Sequence, residues 1–236
     1  MFPNYAAKIN GKHTYNDYGL YVTNSNPIEP PEVRAEYITV PGRSGNIDLT
    51  QALTGYAVYG NRTISLRLGG KKEAASWPAF ISDFLNEVHG KQVEVIFDND
   101  PNYYYFGRAI VEADYQKGNE VATFTLTINA EPYKYGIQST AEPWLWDPFS
   151  FVNGVIRYYN QITVSGTKTV KVIGSEMPVI PVFIASEQIS VSFEGKSYTL
   201  KQGENKIYDI VLRNQEYEMV FTGNGTVSIN YKSGRL

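Results

Sequence analysis

Four groups of residues carry side chains that could do chemistry. The most conspicuous is Val40-Pro41-Gly42-Arg43-Ser44-Gly45, which sets an arginine between two glycines like a phosphate cradle. A phosphate loop, however, needs a later glycine followed by Lys and Ser or Thr, and a helix whose free amides face the anion. Neither is present, and the following run, NIDLT, reads as extended. What remains is a tight turn at the tip of a hairpin running from about Tyr37–Val40 to Ile47–Thr50. Arg43 at that tip offers five donors to a carboxylate or to backbone carbonyls of a partner, or simply faces solvent.

The other groups carry less. Glu112 and Asp114, two apart on an extended segment, would point to one side as a glycosidase pair must, but nothing else marks them as acid and base. Asp98-Asn99-Asp100-Pro101 has the carboxylates for calcium without the further ligands of a binding loop, and reads as a turn. Trp144 and Trp146, in EPWLWDP, would share a face if extended and could stack on a sugar. The flanking Pro143 and Pro148 suit rings pinned against a neighbouring domain, which is the favoured reading.

Composition removes whole classes of function. There is no cysteine, so disulfides and thiolate metal sites are excluded, and the two histidines, His13 and His89, are far apart. A zinc site or a Ser–His or Cys–His nucleophile has almost no raw material, and neither GxSxG nor HExxH occurs. No catalytic residue, metal ligand or cofactor is therefore assigned. The formal charge of −3 is spread without blocks, which argues against nucleic acid or an anionic membrane as partner. No apolar stretch reaches membrane-spanning length. The opening MFPNYAAKING lacks a basic start followed by an apolar run, so no signal peptide is expected.

The 236 residues suffice for two domains, and 19 Tyr with 11 Phe favour pleated, half-buried surfaces. RTISLRL and ATFTLTI alternate apolar and polar, as strands with one wet face do. SWPAFISDFLNEVHG breaks that period. Trp77, Phe80, Ile81, Phe84, Leu85 and Val88 recur at helical spacing, with Ser76 to cap the start, Pro78 tolerated in the first turn and Gly90 to end it. KQVEVIF and YYYFGRAIVEADY read as two strands joined by the turn at Asp98–Asn102. A boundary falls near residues 132–150, a proline-rich stretch without sustained period. Beyond it come short strands: VIRYYNQITV, KTVKVI, VIPVFIA, ISVSF, SYTL, KIYDIVL, YEMVF and TVSINY. Glycines at 166, 174, 195, 203, 223 and 225 punctuate them, which is the rhythm of a β-sandwich. Pro178 and Pro181 place their strand at an edge or bulge.

Several pieces in order along nearly the whole chain, YNDYGLYV, EYITVPGRSGNIDLT, the helix with FDNDPNYYYFGR, FTLTINAEPYKY and SINYKSGRL, carry a family resemblance. Together they resemble the distal tail protein (Dit) family of long, non-contractile-tailed phages and related prophages of Gram-positive bacteria. The resemblance implies a mainly β protein. Its N-terminal β-sandwich, residues 1–138, would carry one α-helix and a hairpin extension and build a hexameric ring. Its C-terminal domain, residues 139–236, would be a galectin-like or carbohydrate-module-like β-sandwich displayed outward. It further implies a structural protein of the virion tail tip or baseplate, made in the cytoplasm of the bacterial host. The ring would join the tail tube protein to the tail-tip protein and the receptor-binding apparatus. Val40, Pro41, Gly42, Arg43, Ser44 and Gly45 are then expected at the subunit contact. The alternative is a carbohydrate-binding module that contacts the host cell wall; the large insertion that carries an extra sugar-binding module in longer members is absent here.

Overall fold

The computed structural model describes residues 6–25, 27–112, 116–117, 120–143 and 156–236. The chain divides into two compact units, residues 1–134 and 135–236. Both are built from strands, with one helix among the described residues.

The first unit contains β1 (Ala7–Ile9), β2 (Lys12–His13), β3 (Leu20–Val22), β4 (Tyr37–Ile38), β5 (Ile47–Asp48), β6 (Arg62–Lys71), α1 (Trp77–Val88), β7 (Gln92–Phe97), β8 (Tyr103–Val111), β9 (Gln116–Lys117) and β10 (Val121–Ala130). Its main sheet runs β2-β1-β7-β8-β10-β6-β3, with β9 on β10. The central pair shows why it forms. In antiparallel register Phe124 opposes Leu68, Leu126 opposes Leu66 and Ile128 opposes Ile64, and all six are buried. The alternating threonines of β10 lie on the other, half-exposed face. One face of the curled sheet is thus continuously apolar and must be covered.

Helix α1 does the covering. Trp77, Phe84 and Val88 are buried, with Phe80 and Ile81 packed beside them, so the helical spacing in the sequence translates directly into a buried stripe. Trp77 also donates its indole N–H to the Glu120 carbonyl at 3.1 Å. The start of the helix differs from expectation. Ser76 makes no side-chain cap and is itself in the right-handed helical region. Its hydroxyl and its amide both turn back to the Glu73 carbonyl, at 2.8 and 3.0 Å, because residues 73–76 already form a turn. At the other end His89 is extended and Gly90 takes φ +73, releasing the chain into β7.

The second unit begins one residue into β11 (Lys134–Ser139) and contains β12 (Ile162–Ile173), β13 (Val182–Ala185), β14 (Ile189–Phe193), β15 (Lys196–Leu200), β16 (Gly203–Lys206), β17 (Glu216–Asn230) and β18 (Lys232–Arg235). Fewer and longer strands appear than the glycine spacing suggested. β12 and β17 each run through their glycines as one strand and pair along twelve residues, Ile162 with Val227 to Ile173 with Glu216. On its other edge β17 pairs with β14 up to Thr222 and with β13 from Val227 onward. The handover falls at Gly223 and Gly225, whose φ values of +144 and +147 favour glycine. A Cβ on Gly225 would lie 2.7 Å from the Ser186 hydroxyl, so glycine stands where β17 changes partner from β14 to β13. Tyr217, Met219, Phe221, Val227, Ile229 and Tyr231 all enter one core.

Two further differences follow from long-range pairing. The stretch from residue 132, read as a boundary without sustained period, contains β11, which pairs with β18. Thr140 then buries its hydroxyl between the Ile229 carbonyl and the Tyr231 amide, at 2.7 and 3.0 Å. Of VIPVFIA only Val182–Ala185 is a named strand; Val179, between Pro178 and Pro181, makes an isolated bridge to Leu212.

Candidate assembly surface

Residues 27–61 form an arm whose base pairs with the start of β6. Its two legs are tied by Ile28 to Ile64 and Val33 to Tyr59 bridges, with the Arg34 amide on the Val58 carbonyl and the Gly60 amide on the Glu32 carbonyl, both at 2.8 Å. Beyond the legs, β4 and β5 pair only with each other, Tyr37 opposite Asp48 and Ile38 opposite Ile47. Every residue from Glu32 to Asn46 except Val40 is exposed, so this segment stands off the unit that carries it.

The tip is built as its sequence requires. The Arg43 amide donates to the Val40 carbonyl at 3.1 Å, closing a turn with Pro41 and Gly42 at its centre. Gly42 has φ +82, the value a type II turn demands of its third residue, and proline fixes the second. Thr39 reaches across the hairpin to the Asn46 side chain at 3.1 Å. Val40, Pro41, Gly42, Arg43, Ser44 and Gly45 therefore occupy a hairpin end, all exposed but Val40.

Further down, Asp48 and Thr50 hold the hairpin to its leg. The Thr50 amide donates to Asp48 Oδ1 at 2.8 Å, and the Thr50 hydroxyl accepts from the Glu36 amide at 3.1 Å. Hydrogen bonding from the Thr50 side chain, then from its amide, holds the Asp48 carboxyl below its ordinary range. With a depressed folded value, the contact is present above the ordinary carboxylate range and is lost as pH falls through the depressed one. Substituting Thr50→Val is expected to raise the Asp48 midpoint in a carboxyl-resolved NMR titration. Identical midpoints in the two proteins would remove Thr50 as the cause.

The arm also carries apolar side chains that the sequence reading did not single out. Tyr37 is 58% exposed and Leu53 95%, and Val33 and Ile38 are exposed too. Leu53 sits at the apex of a turn closed by the Gly55 amide on the Gln51 carbonyl, at 2.8 Å. Four exposed apolar side chains on one projecting arm are more than scattered surface residues require, and they suit a protein contact. The available signal was the single Leu in QALTGY, which belongs to no periodic pattern.

The remaining candidate groups are not gathered into one place. His13 Nε2 lies 3.0 Å from Asp98, while its Nδ1 accepts from the Tyr15 and Asn16 amides, both at 3.1 Å. His89 accepts from the Val111 amide at 3.0 Å. Both rings thus tie elements together. Asp98 and Asp100 do lie in the expected turn, and Asp100 is engaged with Lys134 at 2.6 Å. No group of His, Asp and Glu among the described residues is arranged to hold a metal. Glu112 is exposed; Asp114, Trp144 and Trp146 lie outside the described residues.

No protein-family model matches this chain, and no curated protein does. Its fold has a solved counterpart in the crystal structure of the SPP1 Dit (gp 19.1) protein. The two superpose with a TM-score of 0.55 at 13% identity, over 98% of this chain and 99% of that one. That protein is described as a paradigm of the hub adsorption apparatus in phages that infect Gram-positive bacteria. At this identity the likeness is one of fold, and it spans both units.

Proposed function

We propose that this chain is a structural hub subunit of a phage tail tip. The N-terminal domain, residues 1–138, builds a hexameric ring through its arm, and the C-terminal domain, residues 139–236, is displayed outward. The ring joins the tail tube protein on one side to the tail-tip protein and receptor-binding apparatus on the other. No catalytic step, metal or cofactor enters this role.

The observation that carries the reading is the arm, whose β4–β5 pair joins no other strand among the described residues and which exposes Val33, Tyr37, Ile38 and Leu53. Likeness in fold to a hub protein over the full length of both chains supports it. A projecting element that meets a different patch on its neighbour makes a head-to-tail contact, and such contacts close into rings when the rotation allows.

Light scattering and electron microscopy of the full chain, alone and with the tail tube protein, test the reading. Hexamers are expected at high concentration or with the partner. A strictly monomeric species even with tail partners present overturns it. Within that experiment Arg43→Ala is expected to shift monomer stability by no more than about 0.5 kcal/mol. The same change is expected to weaken assembly by roughly 2 kcal/mol. Unimpaired assembly would take Arg43 out of the contact. A glycan array probed with the full chain separates this role from carbohydrate binding at the host wall.

A further inference from the structure

His13 ends β2 with its side chain 15% exposed, and both of its ring nitrogens are engaged. Nδ1 accepts from two backbone amides, those of Tyr15 and Asn16, each at 3.1 Å. Only an unprotonated nitrogen can accept, so Nε2 carries the proton and donates it to Asp98 at 3.0 Å. The turn that Nδ1 organises opens YNDYGLYV, a stretch with no part in the arm. The ends of that turn are held without the ring. The Thr14 amide bonds the Ala7 carbonyl and the Leu20 amide bonds the Thr14 carbonyl, both at 2.8 Å. The buried Thr14 hydroxyl also accepts from the Ala7 amide at 3.2 Å. Between those ends Tyr15 lays its ring against Tyr21 of β3, with centroids 4.6 Å apart and the two side chains hydrogen-bonded. Both rings are exposed, beside the last strand of the main sheet.

We propose that His13 is an acid-operated clip: a second proton on its ring expels the Tyr15 and Asn16 amides and opens the turn that holds Tyr15 on Tyr21. A protonated Nδ1 has no lone pair, so two N–H donors would then face a third. The surrounding charges favour this outcome. Asp98, directly after β7, keeps its bond to the Nε2 proton and gains the attraction of an imidazolium. Asp17, in the same turn, accepts from the His13 amide at 2.6 Å and adds to that attraction. Lys8 lies opposite His13 in the β1–β2 register, and the preceding Lys12 is paired with Glu87 of α1 at 2.7 Å. Proton uptake is thus met by two carboxylates, and its cost falls on the two amides. His89 is the contrast. Its ring accepts one amide, that of Val111, and forms no ion pair among the described residues. The clip is independent of the ring-forming role.

NMR of the full chain, titrated from about pH 8 to about pH 5 where histidine ordinarily changes charge, tests the proposal. The His13 ring nitrogens and the Tyr15 and Asn16 amides are expected to move with one midpoint. Across it, protection of those two amides against hydrogen exchange, relative to intrinsic rates at each pH, is expected to fall about tenfold, as loss of a hydrogen bond implies. Ring-to-ring NOEs between Tyr15 and Tyr21 are expected to vanish over the same range. His13→Asn sets an amide oxygen near the place of Nδ1 and has no proton to take up, so its two amides and its NOEs are expected to hold throughout. Asp17→Asn removes the other titratable group of the turn and is expected to keep the transition. Tyr15 and Asn16 amides that stay still through the His13 midpoint overturn the clip. A transition that persists in His13→Asn, disappears in Asp17→Asn or follows the His89 midpoint overturns it as well. If His13→Asn lacks the turn from the start of the titration, the shared midpoint in the wild type and in Asp17→Asn decides alone.

Discussion

A chain carrying Tyr37→Lys together with Leu53→Lys is expected to melt like the wild type and to stay monomeric where the wild type forms rings. Both side chains are largely exposed on the arm, so each substitution is expected to change monomer stability by within about 0.5 kcal/mol. Lysine is the choice at position 37 because Asp48 lies opposite, and a carboxylate there would set two like charges across the strand pair. At a subunit contact the lysine at position 53 would have to be withdrawn from water without a partner, and the one at position 37 with only Asp48 beside it. Burial of an unpaired charge costs several kcal/mol, and a ring repeats that cost at every interface. Sedimentation velocity across a concentration series reads the outcome. Rings of wild-type size in the double variant would mean that the outward apolar side chains of the arm are not the contact, and the ring-forming role would lose its support.

Gly174→Ala is expected to give the largest loss of stability of any single methyl added to the second unit. A Cβ at Gly174 would overlap the Arg213 carbonyl oxygen and stand 2.9 Å from its amide nitrogen. The obstruction is backbone, so no side-chain rotation relieves it, and the two segments must separate. That separation strains the Gly174 amide bond to the Gln215 carbonyl at 2.9 Å. It also strains the bonds from Arg157 to the Gly174 carbonyl, at 2.8 and 3.1 Å. Overpacking combined with lost backbone hydrogen bonds amounts to about 3–5 kcal/mol. Gly195→Ala is the control. Its site is open, with nothing within 4 Å of the added carbon, and its φ of +79 is the only objection. A cost of about 1 kcal/mol is expected there. Urea unfolding of the full chain, followed by probes in each unit, separates the two. Equal midpoints for the two variants would mean that the Gly174–Arg213 approach relaxes without consequence.

What was legible in the sequence was whatever depends on near neighbours. The helical spacing from Trp77 to Val88 placed α1, because the residues of one helix face are three and four apart regardless of what they pack on. Alternation in RTISLRL and ATFTLTI placed β6 and β10 and their wet faces. Asp98–Asn102 turned where short polar side chains and proline said it would, and Pro41-Gly42 made the tip of the β4–β5 hairpin. A turn needs only the dihedral preferences of its own residues.

Tertiary structure alone decided the rest, because the deciding contact came from far along the chain. Glycines 166, 223 and 225 read as punctuation, yet β12 and β17 run through them; whether a glycine ends a strand or continues it depends on what approaches it, as Ser186 does Gly225. β11 could not be seen in a proline-rich stretch because its partner, β18, lies about a hundred residues away. Ser76 has the right chemistry for a cap, but the turn before it had already taken its hydroxyl. The exposure of Tyr37 and Leu53 and the burial of Arg62 invert what hydropathy alone would assign. Hydropathy describes a side chain's preference for water. Whether water reaches it is settled by which strands close around it.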